Sequence, residues 1–178
     1  VVGTGIFDGQ STDEPSGVVR AFNVHSGALV WAWDIGRPGI NSAPPAGQSY
    51  ARGTPNVWSL TSADPALGLI YLPTGNAPPD YFGAHRTPEM EKFTSSVVAV
   101  NAADGSVRWH YQTTHHDIWD VDTNAAPTLV DMHKDGRTIP ALVQTSKQGF
   151  LYVLNRLTGE PIYPMVERPV SASDVPGA

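Results

Sequence analysis

The chain has no cysteine, so neither a disulfide nor a thiolate metal site is open to it. It has no basic run, and 11 Lys and Arg against 17 Asp and Glu leave a formal charge of −6, which argues against nucleic acid as a partner. No apolar stretch has the length of a membrane span, and none sustains a helical period. Charged residues make up only 16% and hydrophobic ones 40%, which excludes a disordered composition and leaves a packed core. What is abundant is glycine and proline, 17 and 16 residues, and that favours many short elements joined by turns. The chain opens on Val1 rather than methionine and closes on the loop-like run Ser171 to Ala178. It reads as an internal piece of a longer polypeptide.

A repeat organises the sequence. Ala21-Phe22-Asn23-Val24-His25-Ser26-Gly27-Ala28-Leu29-Val30-Trp31 matches Ala99-Val100-Asn101-Ala102-Ala103-Asp104-Gly105-Ser106-Val107-Arg108-Trp109 in type, position by position. A degenerate copy runs from Val153 through Asn155 and Gly159 to Tyr163, with tyrosine in place of tryptophan. The Asn side chain can bond its own backbone two residues on, and Gly accepts the positive φ of the turn. An aromatic at a fixed offset beyond the turn can dock on the neighbouring unit, so that repeated sheets share a core.

Short strands are expected at 17–23, 28–34, 57–62, 68–73, 95–101, 106–112, 127–131, 139–145 and 150–155, with one helical turn or two at 87–93, where Pro88 suits the first position. The repeat glycines 27, 105 and 159 are unevenly spaced, and the excess lies in loops at 35–54 and 75–94, long enough to be functional. The fold class is all-β. A β-propeller of about three blades fits best. A sandwich is the runner-up, but it does not explain the recurring aromatic.

The densest chemistry is His115-His116-Asp117-Ile118-Trp119-Asp120, followed by a lone cation at Lys147 between the apolar runs 139–143 and 150–154. Trp58 and Asn76 stand upstream at the ends of two other expected strands. A carboxylate base, a cation, a flat aromatic face and an amide oxygen suit a planar anionic redox cofactor with a metal ion. On a strand, His115 and His116 would point to opposite faces, which disfavours a shared zinc ion. Asp117 and Asp122 read as residues that orient neighbours or face solvent.

These residues carry a family resemblance. The Ala-x-Asn-x-x-Ser/Asp-Gly-x-x-x-Trp repeat resembles the tryptophan-docking motif of pyrroloquinoline quinone (PQQ) dehydrogenases, which are eight-bladed propellers. The run from Gln112 to Asp122 is similar to their active-site segment, and its paired histidines point to the membrane-bound glucose dehydrogenase branch. The runs from Pro15 to Phe22, Leu72 to Asn76 and Lys147 to Arg156 resemble segments of that branch in the same order. The likeness covers residues 1–178 as one partial propeller domain.

The resemblance implies a site. Asp120 would be the general base, Lys147 would meet the quinone oxygens, and Trp58 would be the floor under the ring, with His116 lining the pocket. Asn76, Asp120 and, more weakly, Asp8 would bind Ca²⁺ or Mg²⁺, hard cations that take oxygen ligands. Asp8-Gly9 departs from the Asp-Asn of some glucose enzymes, and Asp13 or Glu14 could substitute. The implied reaction is oxidation of an aldose, glucose to gluconolactone and so gluconic acid, with ubiquinone as electron acceptor. The implied place is the periplasmic side of the bacterial inner membrane, held there through parts beyond this chain. Quinate and polyol dehydrogenases share the histidine-rich segment, and 78–83 leans towards them. A non-catalytic propeller scaffold of the bacterial envelope would need no Asp120, Lys147 and Trp58 together.

Overall fold

The computed structural model describes residues 1–7 and 11–178, and Asp8 lies outside the described residues. Among these, β1 (Val19–Phe22) pairs with β2 (Leu29–Trp33). A four-stranded sheet follows in sequence order: β3 (Ser62–Asp64), β4 (Leu69–Pro73), β5 (Ser96–Asn101) and β6 (Val107–Gln112). A third sheet holds β7 (Thr128–Lys134), β8 (Arg137–Thr145) and β9 (Leu151–Asn155). Every pairing is antiparallel. Single bridges, Val2 to Arg20 and Leu154 to Pro161, add chain to the two flanking sheets. The result is one whole four-stranded blade between two partial ones, as the repeat predicts.

The middle blade is apolar on both faces because both are covered. Ile70, Leu72, Val98 and Val100 pack with Trp31, Trp33 and Ile35 of the first blade. The alternate residues Leu69, Tyr71, Val97 and Ala99 pack with Trp109, Leu142 and Leu154 on the other side. A strand buried on both sides loses the polar alternation of a half-exposed one. β7, at the edge, is largely exposed.

Docking follows the repeat closely. The indole N–H of Trp31 donates to the Ala102 carbonyl at 3.0 Å, and that of Trp109 donates to the equivalent Arg156 carbonyl at 3.2 Å. Each ring lies on the glycine of the next turn. A Cβ on Gly105 would sit 2.6 Å from Trp31, and one on Gly159 would sit 2.7 Å from Trp109. Both glycines also hold φ near +72° and +80°, so backbone and packing exclude a side chain there. The asparagines act as expected, with Asn23, Asn101 and Asn155 each accepting a backbone N–H two residues on.

Two expectations are corrected. Residues 57–61 are not a strand; β3 starts only at Ser62, so Trp58 lies in irregular chain rather than at a strand end. The N-terminal chain packs closely against this segment, so that a Cβ on Gly3 would fall 1.9 Å from the Val57 carbonyl oxygen. His115 and His116 are not on a strand either, since β6 ends at Gln112 and His116 has φ +46°. The helix α1 (Pro88–Phe93) forms as read, with Thr87 capping Met90 N–H and Pro88 in its first turn.

Candidate active site

Antiparallel pairing sends β4, β6 and β8 toward one end of the blades, and the loops leaving them carry the candidate residues. Backbone bonds stitch those loops together. Gly75 N–H donates to the Asn56 carbonyl, Ser95 N–H to Gly75, and Lys147 N–H to Asp122. Thr123 Oγ1 donates to the Thr74 carbonyl at 2.7 Å. The irregular segment bearing Trp58 is therefore tied to the chain after β4, and the β8–β9 turn to the chain after β6.

Lys147 is the hub. Its Nζ lies 2.8 Å from Asp120 Oδ2 and 2.7 Å from Asp122 Oδ2. The same ammonium stands 5.9 Å from the centre of the Trp58 ring. Burial opposes the charge on Lys147, but the hydrogen bonds to the two carboxylates outweigh it and hold its pKa above the ordinary lysine value. Burial also pushes the Asp120 carboxyl upward; Lys147 pulls it back and the charge on Asp122 raises it again, leaving it above its usual range. One ammonium shared between two carboxylates gives Asp120 only part of its compensation.

Asp120 lies beyond β6 in a turn with φ +57°, a strained conformation for a residue with a side chain. Asp117 supports that turn. Fully buried, it accepts Trp119 N–H at 2.9 Å, Val121 N–H at 3.0 Å and the Ser95 hydroxyl at 2.5 Å. The buried Arg86 adds a clamp, donating to the Asp117 carbonyl at 2.6 Å and the Ala77 carbonyl at 2.8 Å. Asp117 and Asp122 therefore orient neighbours and do not face solvent.

Trp58 is 50% exposed while Trp31 is 1% exposed. Its edge abuts Gly75, where a Cβ would fall 3.0 Å from the indole nitrogen. Asn76 is buried, with Oδ1 accepting the Thr94 hydroxyl at 3.0 Å and Ala77 N–H at 2.9 Å, and Nδ2 donating to the Asp80 carbonyl. His116 rests against Gly83, with Nδ1 3.1 Å from Glu91 Oε1. His115 turns away to Glu167 and Gln112. The geometry thus brings Asp120, Lys147 and Trp58 together, and links Asn76 to them through Asp122, which accepts Asn76 N–H at 2.5 Å. Among the described residues no hydrogen bond joins His116 to that group.

The donor set bears on what the site can hold. An open indole face beside an ammonium fits a flat anionic ring. For a metal, the side-chain oxygens of Asp120 and Asn76 are hard donors of the kind Ca²⁺ and Mg²⁺ take. No group of three His, Asp or Glu is gathered for a metal among the described residues. Asn76 Oδ1 would have to exchange a present partner for the ion.

The family model described as "PQQ: Glucose/ethanol/alcohol dehydrogenase, beta-propeller domain" matches residues 1–178. The chain is 46% identical over 179 residues to a glycerol dehydrogenase large subunit of Gluconobacter oxydans (strain 621H), covering 99% of this chain and 24% of that protein. It is 42% identical to a quinoprotein glucose dehydrogenase of Escherichia coli (strain K12), covering 96% of this chain and 21% of that protein. Among solved structures, the quinohemoprotein alcohol dehydrogenase ADHIIG of Pseudomonas putida HK5 aligns with a TM-score of 0.65 and 29% identity, covering 84% of this chain and 25% of that one. The chain thus spans no more than about a quarter of the length of the curated relatives it matches.

Proposed function

The chain belongs to the PQQ glucose/ethanol/alcohol dehydrogenase β-propeller family, and from that premise we propose that it carries the quinone-binding and catalytic end of a dehydrogenase that oxidises a sugar or polyol. The observation that carries this reading is the convergence on Lys147 of a carboxylate, Asp120, and an exposed indole, Trp58. A propeller serving only as a scaffold has no use for that convergence.

When bound, the quinone supplies the two-electron acceptor, to which hydride leaves the carbinol carbon. The chain supplies the rest. Asp120, its basicity raised by burial, takes the proton of the substrate hydroxyl. Lys147 stays protonated and presents positive charge where the acceptor's oxygens gain electron density. Trp58 gives a flat apolar floor. Asn76 and Asp120 would bind Ca²⁺ or Mg²⁺, with Asp8 as a further candidate, and His116, fixed by Glu91, would line the rim.

The substrate reading is an aldose, glucose to its lactone, with ubiquinone as final acceptor on the periplasmic side of the inner membrane. The similarity to the glycerol dehydrogenase large subunit favours a polyol as the second reading, with quinate beside it. No helix among the described residues is long and apolar enough to cross a membrane. The test is to reconstitute the intact apoprotein with PQQ and Ca²⁺ and compare rates on glucose, glycerol and quinate using a ubiquinone analogue. Quinone-dependent turnover of any one supports the class and ranks the substrates. Failure to bind quinone rejects the reading.

A further inference from the structure

The geometry points to Asp122 as the positioning residue of the site: a buried counter-ion that, beside the base, holds Lys147 against the quinone face. Its residue exposure is 5%, and both carboxylate oxygens are engaged. Oδ1 accepts Asn76 N–H at 2.5 Å, and Oδ2 meets Lys147 Nζ at 2.7 Å. The Asp122 carbonyl also accepts Lys147 N–H at 3.1 Å, so main chain and side chain of one residue grip both ends of the lysine. Oδ1 is also next to Gly75, the residue against which Trp58 packs. One carboxylate thus touches the lysine and the Asn76 backbone and borders the floor.

The need for it follows from the reaction proposed above, on which this inference rests. Lys147 has three N–H donors, and Asp120 and Asp122 take two of them, leaving the third for a ligand. Two carboxylates two residues apart thus fix the direction in which that donor points. Asp122 is buried with both oxygens occupied, so its own side chain is held in place. It orients the ammonium as supporting carboxylates do around metal and catalytic groups.

A double-mutant cycle in the intact apoprotein tests this, read as affinity for PQQ in the presence of Ca²⁺ rather than as turnover. Asp122→Asn keeps an oxygen for Asn76 N–H and removes the charge facing Lys147. It should weaken PQQ binding about 10- to 100-fold, the usual effect of removing such a support. In a Lys147→Met background the same substitution should add little. Full additivity would mean that Asp122 acts on the fold and not through the lysine, and would overturn the role. Asp122→Glu keeps the charge one methylene further out and carries the same cycle if the neutral variant does not fold. Partial retention of affinity, coupled to Lys147, is expected; losses independent of Lys147 would again overturn it. If the parent binds no PQQ, the reading of the whole site fails. If the parent binds, and Trp58→Ala weakens it while the cycle is additive, only the role of Asp122 falls.

Discussion

Three tryptophans divide this molecule into two regions. Trp31 and Trp109 close the blade seams, 1% and 9% exposed, each with its indole N–H on a carbonyl and its ring on a glycine. Trp58 stands at the loop end of the same blades, 50% exposed, beside an ammonium and two carboxylates. The same side chain serves opposite ends. At the seams its area is removed from water when the blades pack, which contributes to stability. At the loop end that area stays open, and folding gains little from it. Large apolar surface kept exposed beside buried charge is a signature of a binding site.

The contrast can be broken first at the catalytic side. Asp120→Asn in the intact protein should lower turnover by ~10²–10⁴-fold, the usual value of a general base. Its melting temperature should stay near that of the parent, because Asp117 and not Asp120 holds the turn. Steady-state rates beside a thermal melt check both halves. More than a tenth of parental turnover would remove Asp120 from the role.

At the seam the reverse is expected. Trp31→Ala should cost ~3–5 kcal/mol of stability, as large aromatic truncations in cores do. Quinone affinity in the surviving folded protein should hold, because Trp31 lies between blades. Denaturant unfolding and a PQQ titration on the same sample measure the pair of effects.

A smaller effect sharpens the seam itself. Arg156 crosses from blade to blade, reaching Asp64 on β3 at 2.7 Å and Asp131 on β7 at 2.8 Å. Its hydrogen bond holds the Asp64 carboxyl below the ordinary aspartate value of 3.8, against the opposing effect of burial. A carboxylate whose pKa is depressed on folding stabilises fully above its unfolded pKa, and loses that contribution as pH falls through the lower folded value. Asp64→Asn should therefore cost up to about 1 kcal/mol at neutral pH, the scale of a partly screened pair. The gap to the parent should close below pH 3.8, as unfolding curves across that range would reveal.

The two regions also differ in how far they could be read from sequence. The seams were legible because everything needed is local: an asparagine, a glycine and an aromatic at fixed offsets specify the turn and the docking contact together. At the loop end the candidate residues came from family resemblance, and their supports were illegible. Asp117, Asp122 and Arg86 work through backbone atoms of segments distant in the chain, such as Asn76 N–H and the Ala77 carbonyl. No periodicity announces a carboxylate whose partner is a main-chain amide 46 residues away. The run at 57–61 misled for a related reason. Trp58 and Leu60 alternate as on a strand, yet both are exposed, so that pair does not mark a buried face, although Val57 beside them is buried. A shared zinc ion is disfavoured for His115 and His116 on strand geometry, whereas the φ of His116, +46°, belongs to a turn.

The central claim is that Trp58 is kept open for a planar cofactor. Trp58→Ala in the intact apoprotein, with PQQ affinity and melting temperature measured on one preparation, tests it most directly. Stacking of a ring on an aromatic is worth ~1–3 kcal/mol on the nearest measured scale, which is roughly 5- to 150-fold in affinity. The account predicts a loss of affinity in that range with a melting temperature close to the parent. Unchanged affinity with a melting temperature lowered as far as in Trp31→Ala would contradict it.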